Sequence, residues 1–223
     1  HGNDLLELAK KNNIEVIVGY PWHYNLQVEQ VKEWVDKEEI GKLMFVDCIF
    51  ASIVWELYKG NPEAYKETFG FPVMPENNTY SDPSISGGGQ AQTQITHSAA
   101  MLIKMTGLKP KSVFSSMKNF DLNVDLTDAL VVNFNNDVIG TIASTGGVLN
   151  GQEEILEYKI FGTKGHILFD VIKGKASLHN ESGVIESNLE QKEGTTIGTQ
   201  DFWALSYPEH APSENLVNVI LSK

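Results

Sequence analysis

Basic residues are scarce in this chain. Lysine and arginine together number 17 against 29 aspartates and glutamates, a formal net charge of −12 over 223 residues. Nucleic acid and anionic membrane surfaces are held by clustered Lys and Arg, so neither is an expected partner. Cysteine is rarer still. The single Cys48 cannot form an internal disulfide, and its strand-like surroundings make it a small buried hydrophobe rather than a reactive thiol. No apolar run approaches the length of a membrane span. Phosphate-binding motifs are missing too. There is no G-x-G-x-x-G between a strand and a helix and no G-x-x-x-x-G-K-[ST], so the chain cannot build its own Rossmann or Walker phosphate site. His1, His23, His97, His166, His179 and His210 show no H-x-x-x-H spacing and there is no C-x-x-C, so no metal site is expected. A G-x-S-x-G nucleophile elbow is also absent. The sequons at Asn77 and Asn180 stand without other secretory signs, and the expected location is the cytoplasm.

What is present is enough for a core, since 41% of residues are hydrophobic. Asp4 to Asn12 has helical spacing, and Asn13 is a plausible stop. Ile14 to Tyr20 then reads as a short, mostly buried strand. A helix leading into a buried strand is the end of an αβ unit, yet no parallel partner strand precedes it. The N-terminus is therefore expected to be truncated. Asn25 to Lys37 reads as a helix with Val28, Val31, Trp34 and Val35 on its apolar side and Gly41 near its end. A long strand is expected over Lys42 to Leu57. Lys59 to Ser86 has no period but is dense in aromatics (Tyr65, Phe69, Phe71 and Tyr80, with Tyr58 just before it). It reads either as a lid over a site or as a loop packed down for structure. Strands are expected at Ser112–Phe120, Asp128–Phe134, Val138–Ser144, Ile155–Phe161, His166–Asp170, Lys175–His179 and Gly183–Ser187. Asn135-Asn136-Asp137 suits a tight turn between two of them. Short connections between consecutive strands predict an antiparallel meander with helices on one face, an α+β fold. Gln191 to Gly198 is polar and expected to be mobile. Ser213 is placed as the cap of a last helix carrying Leu216, Val217, Ile220 and Leu221 on one side, and the C-terminus is expected to be cut as well.

The most informative stretch is Ser86-Gly87-Gly88-Gly89-Gln90-Ala91-Gln92-Thr93-Gln94-Ile95-Thr96-His97. Three glycines feed a helix. At 100° per residue Gln90, Thr93, Gln94, His97 and Met101 share one arc, and Ala91, Ile95, Ala99, Leu102 and Ile103 share the other. Such a stripe is either a solvated face or a site. It lacks Lys, Glu and Arg, the usual residues of a solvated face. Its amides, hydroxyl and imidazole suit a neutral polar ligand instead. The glycines permit close backbone approach and place N–H groups at the helix start. A lone His is often structural. One turn after Thr93, however, His97 is a sensible general acid/base toward a hydroxyl or carbonyl.

These segments together resemble the C-terminal part of the Gfo/Idh/MocA oxidoreductases. Ile14 to Tyr24 is similar to the last strand of that family's nucleotide-binding domain and the loop after it. Glu39-Ile40-Gly41-Lys42 is similar to the link into its first long strand. Asp125 to Ala129 with Asn136 to Gly140 resembles its central hairpin, and Phe161-Gly162-Thr163-Lys164-Gly165 its characteristic turn. The glycine stretch resembles its G-G-G-x-x-x-D-x-x-x-H motif, with Thr93 where the motif has Asp. The resemblance implies a large open, mostly antiparallel sheet with helices on one face. Residues 1–22 would be the remnant of a nucleotide-binding domain, and 23–223 a substrate-binding and oligomerisation domain. It implies NAD or NADP, a sugar or polyol substrate, and a homodimer or homotetramer formed through the sheet. His97 becomes the acid/base, with Thr93 beside it. Gln90 and Gln94 become substrate ligands, and Trp22 and His23 lie at the edge of the site. The cofactor-binding residues would lie upstream of residue 1, leaving the fragment alone inactive. Two other readings stand beside this one: an NAD-dependent glycosidase or lyase of the same family, and a non-catalytic binding or assembly protein, because a threonine cannot serve as a general base near neutral pH.

Overall fold

A computed structural model describes residues 2–69, 73–189 and 206–222. The expected mobile stretch Gln191 to Gly198, Phe71 and the side chain of Phe69 lie outside the described residues. The centre of the fold is one eight-stranded sheet. Its strands are β1 (Leu43–Ala51), β2 (Pro110–Lys118), β3 (Thr127–Phe134), β4 (Ile139–Thr145), β5 (Ile155–Gly162), β6 (Gly165–Asp170), β7 (Lys175–Asn180) and β8 (Gly183–Asn188), in the order β2-β3-β4-β1-β5-β6-β7-β8. All neighbours are antiparallel except β1 and β4, which run parallel. The expected meander is therefore interrupted once, where β1 wedges between β4 and β5. Local turn chemistry sets the hairpins. Asn136 and Asp137 take the left-handed conformation between β3 and β4, as short Asx side chains tolerate. Thr163 and Lys164 turn between the paired Gly162 and Gly165.

The two sheet faces differ in burial. Val46, Cys48 and Phe50 of β1 point to the same side as Leu156, Tyr158 and Ile160 of β5, Ile167 and Phe169 of β6, and Leu178 of β7; all are buried. This side is covered by α2 (Leu26–Asp36) and α6 (Thr96–Thr106), whose Val28, Val31, Trp34, Met101, Leu102 and Met105 complete the core. Asn25 starts α2 by accepting from the Gln27 N–H at 2.8 Å, which satisfies one of the helix's free donors. Burial pushes the Cys48 thiol up to about 12, so Cys48 is an inert core residue. The other face, with Ile49, Val131, Ile139 and Leu168, is open.

Three expected elements differ. Ile14 to Tyr20 forms no strand, and Ile14, Val16 and Val18 are exposed. A strand is held by a neighbour's hydrogen bonds, and no described strand runs beside this segment, which follows α1 (Gly2–Asn12). The strand expected through Leu57 ends at Ala51. The chain then turns into the short helix α3 (Trp55–Tyr58), which places Leu57 and Tyr58 in a second apolar cluster with Ile53, Val54, Tyr65, Val124 and Leu126. The aromatic loop is thus packed down around Tyr65, whose hydroxyl accepts from the Glu56 N–H at 3.0 Å. It carries two more single-turn helices, α4 (Lys66–Phe69) and α5 (Pro83–Ser86). The last helix, α7 (Ala211–Leu221), begins before Ser213, because Pro212 sits in its first turn, where a missing N–H costs nothing. Val217, Ile220 and Leu221 on it are exposed.

Ile160→Ala removes a fully buried side chain from the centre of the sheet and should cost about 2–5 kcal/mol. Phe114→Ala on the exposed strand β2 should cost under about 0.5 kcal/mol. Denaturant unfolding of both variants checks this, and equal losses would mean that the two positions are not distinguished by the helices over one face.

Candidate functional site

Three backbone donors open the helix after the glycine run, and Asp125 takes all of them. Its carboxylate accepts from the N–H of Gly89 at 2.8 Å and of Ala91 at 2.7 Å, and its carbonyl accepts from the N–H of Gln90 at 2.9 Å. The approach is so close that a Cβ on Gly89 would lie 2.0 Å from the Asp125 carbonyl oxygen, so only glycine fits. Burial works to raise the Asp125 carboxyl, but the N–H groups of Ala91 and Gly89 outweigh it and hold it below the usual aspartate range. The N–H groups that the glycines place at the helix start are therefore already bound to an internal anion.

The first turn, Ala91–Ile95, is a π-helix and not an α-helix. Its wider turn shifts the phase of everything after it, which is why the 100° reading misplaces two residues. Met101, expected on the polar arc, is fully buried. Ile103, expected on the buried arc, is exposed. The shift also divides the expected stripe into two groups.

The first group is internal. Gln90 is fully buried, and its amide donates to Ser144 Oγ at 2.7 Å and Ser52 Oγ at 3.1 Å. Its carbonyl oxygen lies 3.0 Å from the Tyr58 hydroxyl. Gln90 is thus not presented to a ligand, because its hydrogen-bonding capacity joins α6 to the sheet and α3. Thr93 Oγ1 lies 2.9 Å from the Gly89 carbonyl and also contacts the Tyr58 hydroxyl. Each hydroxyl has one proton, so Tyr58 donates either to Thr93 or to Gln90, and Thr93 donates to Gly89 or to Tyr58 accordingly. Either way Thr93 is held by protein partners.

The second group surrounds His97. The His97 ring packs edge-on against Tyr20 at 4.9 Å and Trp22 at 5.6 Å between centroids. Tyr20 also packs against His23 at 5.2 Å. Trp22 is nearly fully buried, with Phe50 and Tyr207 as further ring neighbours, so it forms a wall and not an edge. Lys104 donates to the His23 carbonyl, pairs with Glu29 and lies 5.3 Å over the Tyr24 ring, which pins the loop carrying His23 to α6. Nδ1 of His97 and Nε2 of His23 are both buried without a hydrogen-bond partner. Burial lowers both imidazoles below the ordinary value, and the charge of Lys104 adds to the effect at His23. Both rings are thus neutral at pH 7. Gln94 is half-buried on the same helix as His97. Among the described residues no cluster of three or more His, Cys, Asp or Glu gathers to hold a metal, and no helix is long and apolar enough to cross a membrane.

With this geometry in view, comparison with known proteins is decisive on one point. Residues 28–168 match the GFO/IDH/MocA C-terminal domain. The chain belongs to this family. No protein of curated function matches the sequence. Solved structures share the fold. Levoglucosan dehydrogenase in complex with NADH and levoglucosan is 16% identical, with a TM-score of 0.70 over 92% of this chain and 57% of that one. An oxidoreductase from Sinorhizobium meliloti is 13% identical, with a TM-score of 0.71 over 99% of this chain and 58% of that one. GenD2 from gentamicin A biosynthesis, in complex with NAD, is 15% identical, with a TM-score of 0.71 over 99% and 58%. The chain spans less than two thirds of the length of these relatives.

Within the family frame, sequence reasoning missed Asp128. It is fully buried at the start of β3, neither carboxyl oxygen has a hydrogen-bond donor, and the Asp125 carboxylate faces it. Burial first, then the charge of Asp125, raises its carboxyl from the ordinary 3.8 to about 7. In the sequence alone it is placed only at the start of a strand and in a segment that resembles the family's hairpin. An Asp at an inward-facing strand position was the available signal.

Folded Asp128 keeps a proton that the unfolded chain releases above about pH 4, so its contribution to stability declines as pH rises from about 4 to about 7. Asp128→Asn removes that decline. The variant should gain stability relative to the parent as pH goes from 5 to 8, measured by urea unfolding at both values; a difference that does not change with pH would show that Asp128 titrates normally.

Proposed function

We propose that this chain is the substrate-binding and assembly part of an NAD(P)-dependent oxidoreductase acting on a sugar, polyol or related hydroxyl compound, with His97 as the acid/base. The observation that carries the reading is His97 itself. It is a neutral imidazole, held between the rings of Tyr20 and Trp22 on the helix that follows the glycine run, with only Nδ1 enclosed in the protein. Nε2 is the nitrogen that meets the substrate, taking the hydroxyl proton on oxidation and returning it on reduction. A bound nicotinamide supplies the hydride acceptor, and the crystallisation of fold relatives with NADH and with NAD supports that choice. The helix start does not hold the cofactor's phosphates, because Asp125 occupies its N–H groups. In this reading residues 1–22 are the end of a nucleotide-binding domain that holds the cofactor, and 23–223 form the second domain. The fragment without that domain is inactive.

Gln94, His23 and the edge of Tyr20 are the polar groups available to a ligand near His97. The chain contains no arginine, the residue best suited to clamp a carboxylate or phosphate in two-point fashion, which favours an uncharged ligand. Thr93, at the place of the motif aspartate, supports the site through Tyr58 and has no direct part in proton transfer.

His97→Ala in the full-length enzyme should lower kcat by about two to four orders of magnitude with a smaller change in KM. The acid limb of the wild-type kcat/KM profile should lie below the ordinary imidazole value of 6.5, since burial lowers the group. Turnover with a panel of sugars and polyols measures both; wild-type kcat in the variant would remove His97 from the chemistry.

The open sheet face supports assembly as a homodimer or homotetramer. A row of rings, Phe45, Phe161, His166 and His179, crosses four strands at centroid spacings of 6.0, 5.6 and 4.5 Å. Ile49, Val131, Ile139 and Leu168 are exposed on the same face, whereas an ordinary monomer covers such a patch. The Asp47–Lys159 pair at 3.7 Å adds polar specificity. Sedimentation of the full-length protein should give a dimer or tetramer, and Leu168→Glu should shift it toward monomer; a wild-type monomer at micromolar concentration would end this reading.

A further inference from the structure

One carboxylate near the glycine helix has had no part so far. Glu154 stands just before β5, two residues ahead of Leu156. Side chains alternate along an extended chain, so Glu154 continues the inner row of Leu156, Tyr158 and Ile160, while Ile155 is exposed on the outer side. Phe50 of β1 pairs with Leu156, and Trp22 packs on Phe50 at 5.5 Å and on His97 at 5.6 Å between centroids. One step further along both segments, Ser52 Oγ accepts from the Gln90 amide at 3.1 Å, and Glu154 Oε1 accepts from the Ile53 N–H at 2.9 Å. Glu154 and His97 thus border the same end of the inner face, linked through Phe50 and Trp22. Glu154 is half-buried, and its second carboxyl oxygen is not sealed inside the protein. Burial raises its carboxyl above the ordinary range, although the Ile53 N–H opposes the rise. A carboxylate partly stripped of water, with one oxygen fixed and the other open, gains from a hydrogen-bond donor.

We propose that Glu154 decides which substrates the His97 site accepts: its open oxygen takes a hydrogen bond from a hydroxyl remote from the reacting carbon, and its charge turns away ligands with a carboxylate or phosphate at that end. The inference rests on the oxidoreductase reading of His97 and deepens it, naming the substrate as an uncharged compound with hydroxyls at both ends. A charged acceptor holds a hydroxyl about twice as strongly as a neutral one. An anion placed beside it would lose water without gaining a donor. The chain has no arginine to offset the charge, and Lys104, the lysine tied to the His23 loop, is already paired with Glu29. The Ile53 N–H fixes Oε1, which limits the directions the open oxygen can face. Glu154 acts on binding and not on proton transfer, because the hydroxyl it holds is not the one oxidised.

The test uses the full-length protein with its nicotinamide cofactor and matched neutral and acidic compounds: glucose with glucuronate, galactose with galacturonate. The wild type should favour each neutral sugar over its acid by about tenfold or more in kcat/KM. A preference for the acids would overturn the proposal. Glu154→Gln keeps an amide oxygen for the Ile53 N–H but loses the charge. It should raise KM for the neutral sugar by about tenfold, leave kcat little changed and narrow the preference over the acid. A side chain that only holds Ile53 would leave KM and the preference as they were in this variant, and that result would overturn the proposal. Glu154→Asp keeps the charge at shorter reach and serves if the glutamine variant fails to fold. It should raise KM while keeping the preference against acids, and an unchanged KM there counts against Glu154 in the same way. Where a compound binds without turnover, its Kd by calorimetry replaces KM; binding of neither sugars nor acids would also overturn the proposal. Wild-type kcat in His97→Ala would remove the underlying reading, whereas an unmoved KM and preference in Glu154→Gln removes only the role of Glu154.

Discussion

Asp125 satisfies the three N–H groups of Gly89, Gln90 and Ala91 that lead into the helix carrying Thr93 and His97, two with its carboxylate and one with its carbonyl. The arrangement requires a residue without a side chain at Gly89, because the backbone of Asp125 occupies the space a Cβ would fill. A free helix start of this kind would attract an anion from solution. Here the anion is part of the chain, delivered by the loop between β2 and β3. The glycine run is therefore a docking point for the sheet, and it sets where the helix begins and how it is rotated.

Everything on the helix inherits that rotation. Gln90, just before the π turn at Ala91–Ile95, points inward to Ser52, Ser144 and Tyr58, and Thr93 within the turn lies against Tyr58. His97, a turn further on, emerges between Tyr20 and Trp22. A buried network ties the helix to the sheet, and His97 lies beyond it. Asp128, enclosed beside Asp125, belongs to the network and adds a titrating group to its base. The bonded part of the network, Gln90, Thr93, Tyr58, Ser52 and Ser144, ties the helix that bears His97 to the sheet.

The sheet explains the division of labour between faces. Its inner side is filled by α2 and α6, leaving the outer side with a row of stacked rings and a few aliphatic side chains. A groove of about 420 Å³ between β5 and β8 lies on this outer side, lined by charges of both signs such as Lys159, Asp170, Lys175 and Glu186. It is remote from His97 in the fold. The groove and His97 therefore lie on opposite sides of the sheet.

The sequence by itself determined the turns and most of the strands, because Asn136, Asp137 and the Gly162–Gly165 pair act through local backbone preference and alternation of burial is a local pattern. It also singled out the glycine run and His97 for attention, since residue type is visible without coordinates. It did not determine the fate of Ile14 to Tyr20, because a strand exists only beside another strand. Nor did it determine which stripe residues point into the protein. That depended on a π turn which breaks the 100° rule, and on Asp125 and Tyr58, which are distant in sequence and reach the helix only after the sheet has formed. Only the tertiary structure showed that Tyr20 packs against both His23 and His97, because that contact joins two segments more than seventy residues apart, and long-range packing of that kind leaves no periodic trace in the chain.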